Sequence, residues 1–144
     1  GGQIDVLARQ FLWADGVTYH HGTGHGVGAY LGVHEGPVGI SSRYTVPFEP
    51  GNVVSNEPGY YKAGEYGIRI ENLLVVTESE TFPGFLEWET LTLVPIDTRL
   101  VDGGLLTAGE REWLNGYHAR VWREIGPLVE GGVKEWLRGA TAAV

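Results

Sequence analysis

His21-Gly22-Thr23-Gly24-His25-Gly26-Val27-Gly28 is the stretch that predicts most about both the fold and the chemistry of this chain. Four glycines within residues 22–28 argue against a helix, because glycine loses more backbone freedom there than any other residue. We expect an extended segment with irregular turns, in which His21, Thr23 and His25 share one face and His20 points to the other. At strand rise the two outer histidines are about 13 Å apart. One of them can ligate an ion, and the other is expected further along the same cleft.

A third histidine and two carboxylates follow in unusual settings. They lie in Val33-His34-Glu35-Gly36-Pro37, Ser55-Asn56-Glu57-Pro58-Gly59-Tyr60-Tyr61 and Ile68-Arg69-Ile70-Glu71-Asn72. Imidazole and carboxylate groups are common ligands of divalent metals. Glu57 ends a predicted strand, where a carboxylate is well placed for a site; the alternative is an ordinary turn residue. Together these residues predict most of a metal-dependent hydrolase site.

Glu71 belongs to a predicted strand over residues 67–77 with two distinct faces. Gly67, Arg69 and Glu71 share one face and can line a cavity, while Ile68 and Ile70 share the other and can pack on the core. The alternative is a surface Arg–Glu pair on a half-exposed strand.

The bulk composition of the chain argues against several classes of partner and location. A net charge of -8 over 144 residues argues against nucleic acid or an anionic membrane as the main partner. The chain has no cysteine, and no apolar run approaches the roughly 20 residues of a membrane span. It also contains no methionine, even at position 1. We therefore expect one domain or part of one, from a processed or excised piece of a longer protein.

Periodicity predicts strands in the first part of the chain and helices in the last. An amphipathic first helix carries Ile4, Leu7, Ala8, Phe11 and Leu12, and Gly16 ends it. A long loop over 35–51 precedes predicted strands at 52–56, 67–77 and 88–94. Thr107 and Glu110 form a capping box that opens a helix burying Trp113, Leu114, Tyr117, Val121 and Trp122. With a last short helix at 133–137, the fold class is α+β.

Charge counting shows a shortfall in the metal ligands. One histidine and two glutamates supply two negative charges, whereas two divalent ions carry four positive ones. Such ions lie about 3.5–4 Å apart and need bridging anions. Asp5 falls within the first helix and Asp15 at its C-terminal end, which is a poor geometry for sharing this site. The chain therefore lacks the ligand charge for a two-ion centre.

The motifs, in this order, resemble those of the eukaryotic cytosolic Xaa-Pro aminopeptidases (aminopeptidase P), which are pita-bread metallopeptidases. Leu91-Thr-Leu-Val-Pro-Ile96 and Trp113-Leu-Asn-Gly-Tyr117 are similar to the C-terminal part of that family. The resemblance implies that residues 1–98 are the C-terminal portion of a pita-bread catalytic domain, an antiparallel sheet with helices. Residues 99–144 would be a C-terminal helical extension of the same domain.

The same resemblance implies a role for each candidate residue. The implied metal ligands are His25, Glu57 and Glu71. Glu57 would also shuttle a proton. The implied substrate-contacting and catalytic residues are His21, His34 and Arg69, the two histidines stabilising the tetrahedral intermediate. The family's centre holds two ions, commonly manganese, with cobalt or zinc as alternatives. Two aspartate ligands and a further histidine have no counterpart here, so we expect this chain alone to be inactive and to need a missing N-terminal part.

The function implied is hydrolysis of the N-terminal Xaa-Pro bond by a metal-activated hydroxide. The expected partners are peptides with proline at the second position, with no nucleic acid and no membrane, in a cytoplasmic and homodimeric parent protein. Two alternatives stay open: a prolidase-type dipeptidase, and a non-catalytic pita-bread module that binds peptide or protein. The 33–37 motif and the C-terminal helices favour the aminopeptidase. The filled ligand positions favour an enzyme.

Overall fold

The computed structural model describes residues 1–30 and 32–144, and these form two compact units, 1–92 and 93–144. All strand pairs in the described residues are antiparallel, which confirms the predicted α+β class. In chain order the elements are α1 (Asp5–Ala14), β1 (Gly24–His25), β2 (Gly39–Ile40), β3 (Val53–Asn56), β4 (Gly59–Lys62), β5 (Tyr66–Arg69), β6 (Asn72–Glu78), β7 (Leu86–Thr90), α2 (Ala108–Ile125) and α3 (Gly131–Ala140).

The first unit is built on a three-stranded sheet in which β6 lies between β3 and β7. Along β6 every second residue is buried, namely Asn72, Leu74 and Val76, as expected for a strand with one face on a core. The buried cluster consists of Val38, Ile40, Val54 and Leu74, with Ile4 and Phe48 packed against it. Strand β3 therefore has its buried side on this core just before the chain reaches Glu57.

Strand β1 is held between two neighbours at very short range. It pairs with β2 through Gly24–Ile40 and His25–Gly39, and Gly26 bridges to Val54 of β3. A Cβ on Gly24 would lie 1.9 Å from the carbonyl oxygen of Ser55, and one on Gly26 equally close to that of Glu35. The glycines of the 22–28 segment are needed for close approach of backbone to backbone.

Helix α1 buries a different face from the one predicted. Its buried residues are Asp5 and Arg9, whereas Leu7 is 59% and Phe11 71% exposed. The Arg9 Nε donates to Asp5 Oδ2 at 2.8 Å, one helical turn away. The prediction of a buried apolar stripe was wrong in this respect because the buried neighbours of α1 offer hydrogen-bonding groups, which need polar partners.

Several strand predictions also need correction. The single strand expected over 67–77 is two strands, β5 and β6, interrupted at residues 70–71, and β4 was missed. Strand β5 pairs with β4 in a separate two-stranded sheet whose turn contains Gly64 at a φ of +76°. Ile68 and Ile70 are 43% and 44% exposed, so neither packs on the core as expected. The loop at 35–51 contains the short strand β2, and the last strand ends at residue 90, not 94.

The second unit is helical, and its capping box was predicted correctly. The Glu110 amide donates to the Thr107 hydroxyl while the Glu110 carboxylate accepts from the Thr107 amide. Tyr117, Val121 and Leu137 form its core. Trp113 is 53% exposed and stacks on Tyr117, so its predicted burial was wrong. The last helix covers residues 131–140, longer than the predicted 133–137.

Among the described residues, no helix combines the length and apolarity needed to cross a membrane. The division of the chain at residue 98, with both parts belonging to one domain, stays a prediction.

The core of the second unit yields a stability prediction. Leu137 is 4% exposed and packs in the core, whereas Leu128 is 76% exposed. We expect Leu137→Ala to lower the free energy of unfolding by about 2–5 kcal/mol because it leaves a cavity. The matched change Leu128→Ala should stay within about 0.5 kcal/mol of the unchanged chain. Urea unfolding followed by circular dichroism measures both; equal losses would contradict the assigned core.

The buried Asp5–Arg9 pair yields a pH prediction. Burial alone would raise the pKa of Asp5, but hydrogen bonds from Arg9 and Thr23, together with the Arg9 charge, outweigh it and lower that pKa. The stabilisation is therefore complete above the unfolded pKa, about 3.9, and is lost as pH falls through the folded pKa. We expect the stability difference between the unchanged chain and Asp5→Asn to shrink between pH 5 and pH 2.

The measurement is urea unfolding at several pH values, with Glu80→Gln as the control because Glu80 is exposed. At pH 7 removal of the Asp5 charge should cost about 3 kcal/mol, since it leaves a buried guanidinium without its counter-ion. A stability difference that stays constant down to pH 2 would contradict the role given to this carboxylate.

Candidate functional site

A cavity of about 370 Å³ in the first unit brings together most of the predicted site residues. Its lining residues are His21, Gly22, Gly24, His25, His34, Ser41, Arg43, Tyr44, Glu57 and Arg69. Five of the six residues predicted from the sequence are in this set. Glu71, the sixth, is 43% exposed in its side chain and is connected to the cavity through Arg69, whose NH1 lies 3.7 Å from Glu71 Oε2.

Two of the histidines are held in the same way by the glycine that follows each of them. Nδ1 of His21 lies 2.7 Å from the Gly22 carbonyl oxygen, and Nδ1 of His25 lies 2.9 Å from that of Gly26. A carbonyl oxygen only accepts, so Nδ1 must carry the proton in both rings. In the neutral form Nε2 of each ring therefore carries the lone pair.

The lone pair of His25 faces a carboxylate. His25 Nε2 is 3.2 Å from Glu57 Oε1, and the two side chains are only 16% and 12% exposed. Two electron-rich atoms at this distance repel each other unless a proton or a cation lies between them. A neutral imidazole nitrogen and a carboxylate oxygen are donors that borderline divalent metals accept. His25 and Glu57 thus fit a divalent metal by donor type and by orientation.

Ser55 fixes the geometry of this pair. Its fully buried hydroxyl donates to Glu57 Oε1 at 3.0 Å and accepts from the backbone amide of His25 at 3.0 Å. The Glu57 amide in turn donates to the carbonyl oxygen of Thr23 at 2.7 Å. Both the side chain and the backbone of Glu57 are therefore tied to the segment that carries His21 and His25.

Arg69 is in contact with Glu57 and Glu71 and, through Tyr61, with His21. Its NH1 lies 3.6 Å from Glu57 Oε2, and its Nε donates to the Tyr61 hydroxyl at 2.8 Å. The hydrogen bond to Tyr61 is the main reason that the pKa of Arg69 is raised, and the charges of Glu57 and Glu71 add to it. Tyr61 donates to His21 Nε2 at 2.8 Å. Arg69 is thus coupled to His21 through one phenol.

His34 lies against His25 in the lining of the cavity. Their ring centroids are 4.1 Å apart with the planes inclined at 58°. His34 is exposed, whereas His25 is partly buried. The exposed ring is accessible to a ligand that enters the cavity.

The metal set as a whole stays a prediction. Across residues 1–30 and 32–144, no three His, Asp or Glu side chains stand close enough together to hold a metal ion. One guanidinium nitrogen of Arg69 lies 3.6 Å from a carboxylate oxygen of Glu57 and 3.7 Å from one of Glu71. Glu71 would therefore have to come closer to His25 and Glu57 to share an ion with them.

Several contributors to the site were missed from the sequence. Ser55 could have been found, because it lies two residues before Glu57 along an extended segment and therefore shares its face. Tyr61 follows the same motif, but only the pairing of β4 with β5 brings it beside Arg69. Arg43 and Tyr44 fall in the predicted loop, where no periodic pattern indicates which side chains line a cavity.

Comparison with known proteins confirms the resemblance inferred from the motifs. Residues 1–78 match the family described as "Metallopeptidase family M24", and residues 84–144 match the "C-terminal region of peptidase_M24". A solved structure, the X-prolyl aminopeptidase from Caenorhabditis elegans, is described as a cytosolic enzyme with a di-nuclear active site. It is 44% identical, with a TM-score of 0.90 over 99% of this chain and 24% of its own.

Curated relatives of similar sequence point to the same family. "Probable Xaa-Pro aminopeptidase P" of Sclerotinia sclerotiorum is 52% identical over 91% of this chain and 23% of its own length. "Aminopeptidase P2" of Arabidopsis thaliana is 52% identical over 95% of this chain and 20% of its own length. The chain thus spans about a quarter or less of the length of these relatives. Since the first family match alone covers more than half of its residues, the chain belongs to metallopeptidase family M24.

Proposed function

We propose that this chain supplies one side of the active site of a metal-dependent aminopeptidase that hydrolyses the Xaa-Pro bond at the N-terminus of peptides. The observation that carries the proposal is the pairing of His25 Nε2 with Glu57 Oε1 at 3.2 Å inside a cavity that His21 and His34 also line. Relatives named Xaa-Pro aminopeptidase support the choice of substrate.

The metal would be held by His25, Glu57 and Glu71. Bound divalent ions would polarise the scissile carbonyl and make water a better nucleophile near neutral pH. Manganese is the proposed metal, with cobalt and zinc as alternatives, because imidazole and carboxylate donors suit all three. The three ligands carry two negative charges, so a centre of two such ions, as proposed for the complete enzyme, needs further anionic ligands.

Glu57 is the proposed proton carrier. Its Oε1 accepts one hydrogen bond, from Ser55, and its Oε2 lies 3.6 Å from Arg69. The carboxylate can take the proton from the attacking water and pass it to the proline nitrogen as the carbon–nitrogen bond breaks. This transfer is needed because the nitrogen would otherwise leave as a strongly basic anion.

His21 and His34 are proposed to contact the substrate and to stabilise the negative charge that develops on its carbonyl oxygen. To donate from Nε2, His21 must carry a second proton, and the Tyr61 hydroxyl would then turn to accept from it or give way to substrate. Arg69, which donates to the same hydroxyl, would hold the phenol beside His21 in the absence of substrate.

The alternatives differ in what they predict for peptides. A prolidase-type dipeptidase would cleave Xaa-Pro dipeptides in preference to longer ones, and a non-catalytic module would bind such peptides without cleaving them. A cytoplasmic, homodimeric parent protein is part of the proposal, and the Caenorhabditis elegans neighbour, described as cytosolic, supports the location.

The first functional prediction uses a chimera in which residues 1–144 replace the aligned quarter of the Caenorhabditis elegans enzyme. We expect the chimera to hydrolyse an Xaa-Pro-Xaa peptide in the presence of manganese. Glu57→Gln should lower kcat by about 10²–10⁴-fold, because the amide cannot carry the proton. The matched control Glu65→Gln, whose carboxylate pairs with Lys62, should leave kcat unchanged.

Liquid chromatography of the products over a peptide-length series measures these rates. A chimera that folds and binds manganese but does not cleave would refute the proposed function, and a preference for dipeptides would favour the prolidase alternative. An unchanged kcat in Glu57→Gln would refute only the role of this residue.

The second prediction concerns the chain by itself. We expect residues 1–144 alone to show no turnover and to bind at most one manganese ion, weakly, since only two ligand charges are offered to it. Isothermal titration should show that binding is lost in His25→Ala and retained in His20→Ala, because His20 is exposed and does not line the cavity. Robust turnover by the chain alone would overturn the charge argument.

A further inference from the structure

Arg9 of helix α1 is a buried cation that does not line the site cavity, yet its hydrogen bonds lead to it. Its Nε donates to Asp5, its NH1 to the Tyr19 carbonyl oxygen at 2.8 Å, and its NH2 to the His21 carbonyl oxygen at 2.7 Å. The guanidinium carbon also lies 4.0 Å from the centroid of the Tyr19 ring. The side chain is 10% exposed.

The two carbonyls that accept from Arg9 lie on either side of residues 20 and 21 along the backbone. Fixing both of them limits rotation of the backbone at residues 20 and 21, and the direction of the His21 ring follows from that backbone. A planar guanidinium can donate to Asp5 and to two carbonyls at the same time, whereas an ammonium group lacks this rigid fork.

A second arm of the same network reaches Glu57. Asp5 Oδ1 accepts from the Thr23 hydroxyl at 2.6 Å, and that hydroxyl is also hydrogen-bonded to the hydroxyl of Tyr19. The backbone carbonyl of Thr23 accepts the Glu57 amide at 2.7 Å. Thr23 is 1% exposed, so water does not compete for these bonds. The position of the Glu57 backbone is thus tied to the Asp5 carboxylate.

We propose that Arg9, together with Asp5, is a positioning residue for the candidate active site. It sets the orientation of His21 through the two carbonyls and the position of Glu57 through Asp5 and Thr23. The proposal rests on the proposed function only where it calls His21 and Glu57 active-site residues; the physical coupling does not depend on it.

A purely structural role would give a different result. A buried ion pair that only holds a helix in place would lower global stability when weakened, and all buried amides of the unit would lose protection together. A positioning pair must also loosen the 19–23 segment and the Glu57 amide beyond that global loss. Hydrogen exchange separates the two, because it reports local opening residue by residue.

The test compares ¹⁵N-labelled chain 1–144 with Arg9→Lys, and with Val76→Ala as a control of lowered stability in the same unit. Val76 is 2% exposed and belongs to β6. In Arg9→Lys we expect the Glu57 amide to exchange at least tenfold faster than the global loss predicts, and the ring nitrogen signals of His21 to shift. In Val76→Ala exchange should accelerate only as the global stability predicts, with His21 unchanged.

Thr23→Val provides a second variant that cuts one arm only and keeps the proposal testable if Arg9→Lys does not fold. It should accelerate exchange at the Glu57 amide while leaving the ring nitrogens of His21 close to their original signals. The proposal is overturned if each variant accelerates the Glu57 amide no more than its global loss of stability, or if His21 keeps its signals in a folded Arg9→Lys.

The chimera adds an activity readout that keeps the two proposals apart. Arg9→Lys should lower kcat/KM about 10-fold or more at unchanged manganese content, as is typical for residues that orient site ligands. If the chimera itself is inactive while the exchange coupling is present, the proposed function fails and the coupling stands. If it is active and Arg9→Lys changes neither exchange nor kcat/KM, the positioning role fails.

Discussion

The backbone of residues 22–26 lies so close to its neighbours that two positions have no room for a Cβ. Gly24 meets the Ser55 carbonyl, and Gly26 meets that of Glu35. This close approach puts the His25 amide within reach of the Ser55 hydroxyl and the Thr23 carbonyl within reach of the Glu57 amide. Without it, His25 and Glu57 would not face each other at 3.2 Å. The site therefore needs glycine at positions 24 and 26, where the neighbouring backbone leaves no room for a side chain.

Buried polar groups decide the packing around that segment. Helix α1 buries an ion pair and leaves Phe11 exposed, because the carbonyls of Tyr19 and His21 and the hydroxyl of Thr23 need partners away from water. An apolar face against them would leave these groups unsatisfied. The need to hydrogen-bond the buried polar groups of this segment thus decides which face of α1 is buried, in place of the hydrophobic periodicity of the helix.

The cavity is lined mostly by basic side chains, although the chain as a whole is acidic. The net charge is -8, yet the cavity is lined by three imidazoles and two guanidiniums around one carboxylate. Arg69 lies within 3.7 Å of a carboxylate oxygen of both Glu57 and Glu71 and offsets their charge. A bound divalent ion would compete with this guanidinium for the same oxygens, so metal binding and the position of Arg69 are coupled by simple charge balance.

The sequence alone determined the family, the α+β class, the capped helix at Thr107 and five residues of the cavity lining, namely His21, His25, His34, Glu57 and Arg69. These follow from short motifs and local periodicity, which act through the backbone of neighbouring residues. Only the tertiary structure decided which faces are buried and which side chains meet: the Asp5–Arg9 pair under His21, Tyr61 between His21 and Arg69, and the exposure of Ile68 and Trp113. Burial and long-range hydrogen bonds depend on what another part of the chain places opposite a residue, and spacing along the sequence does not carry that information.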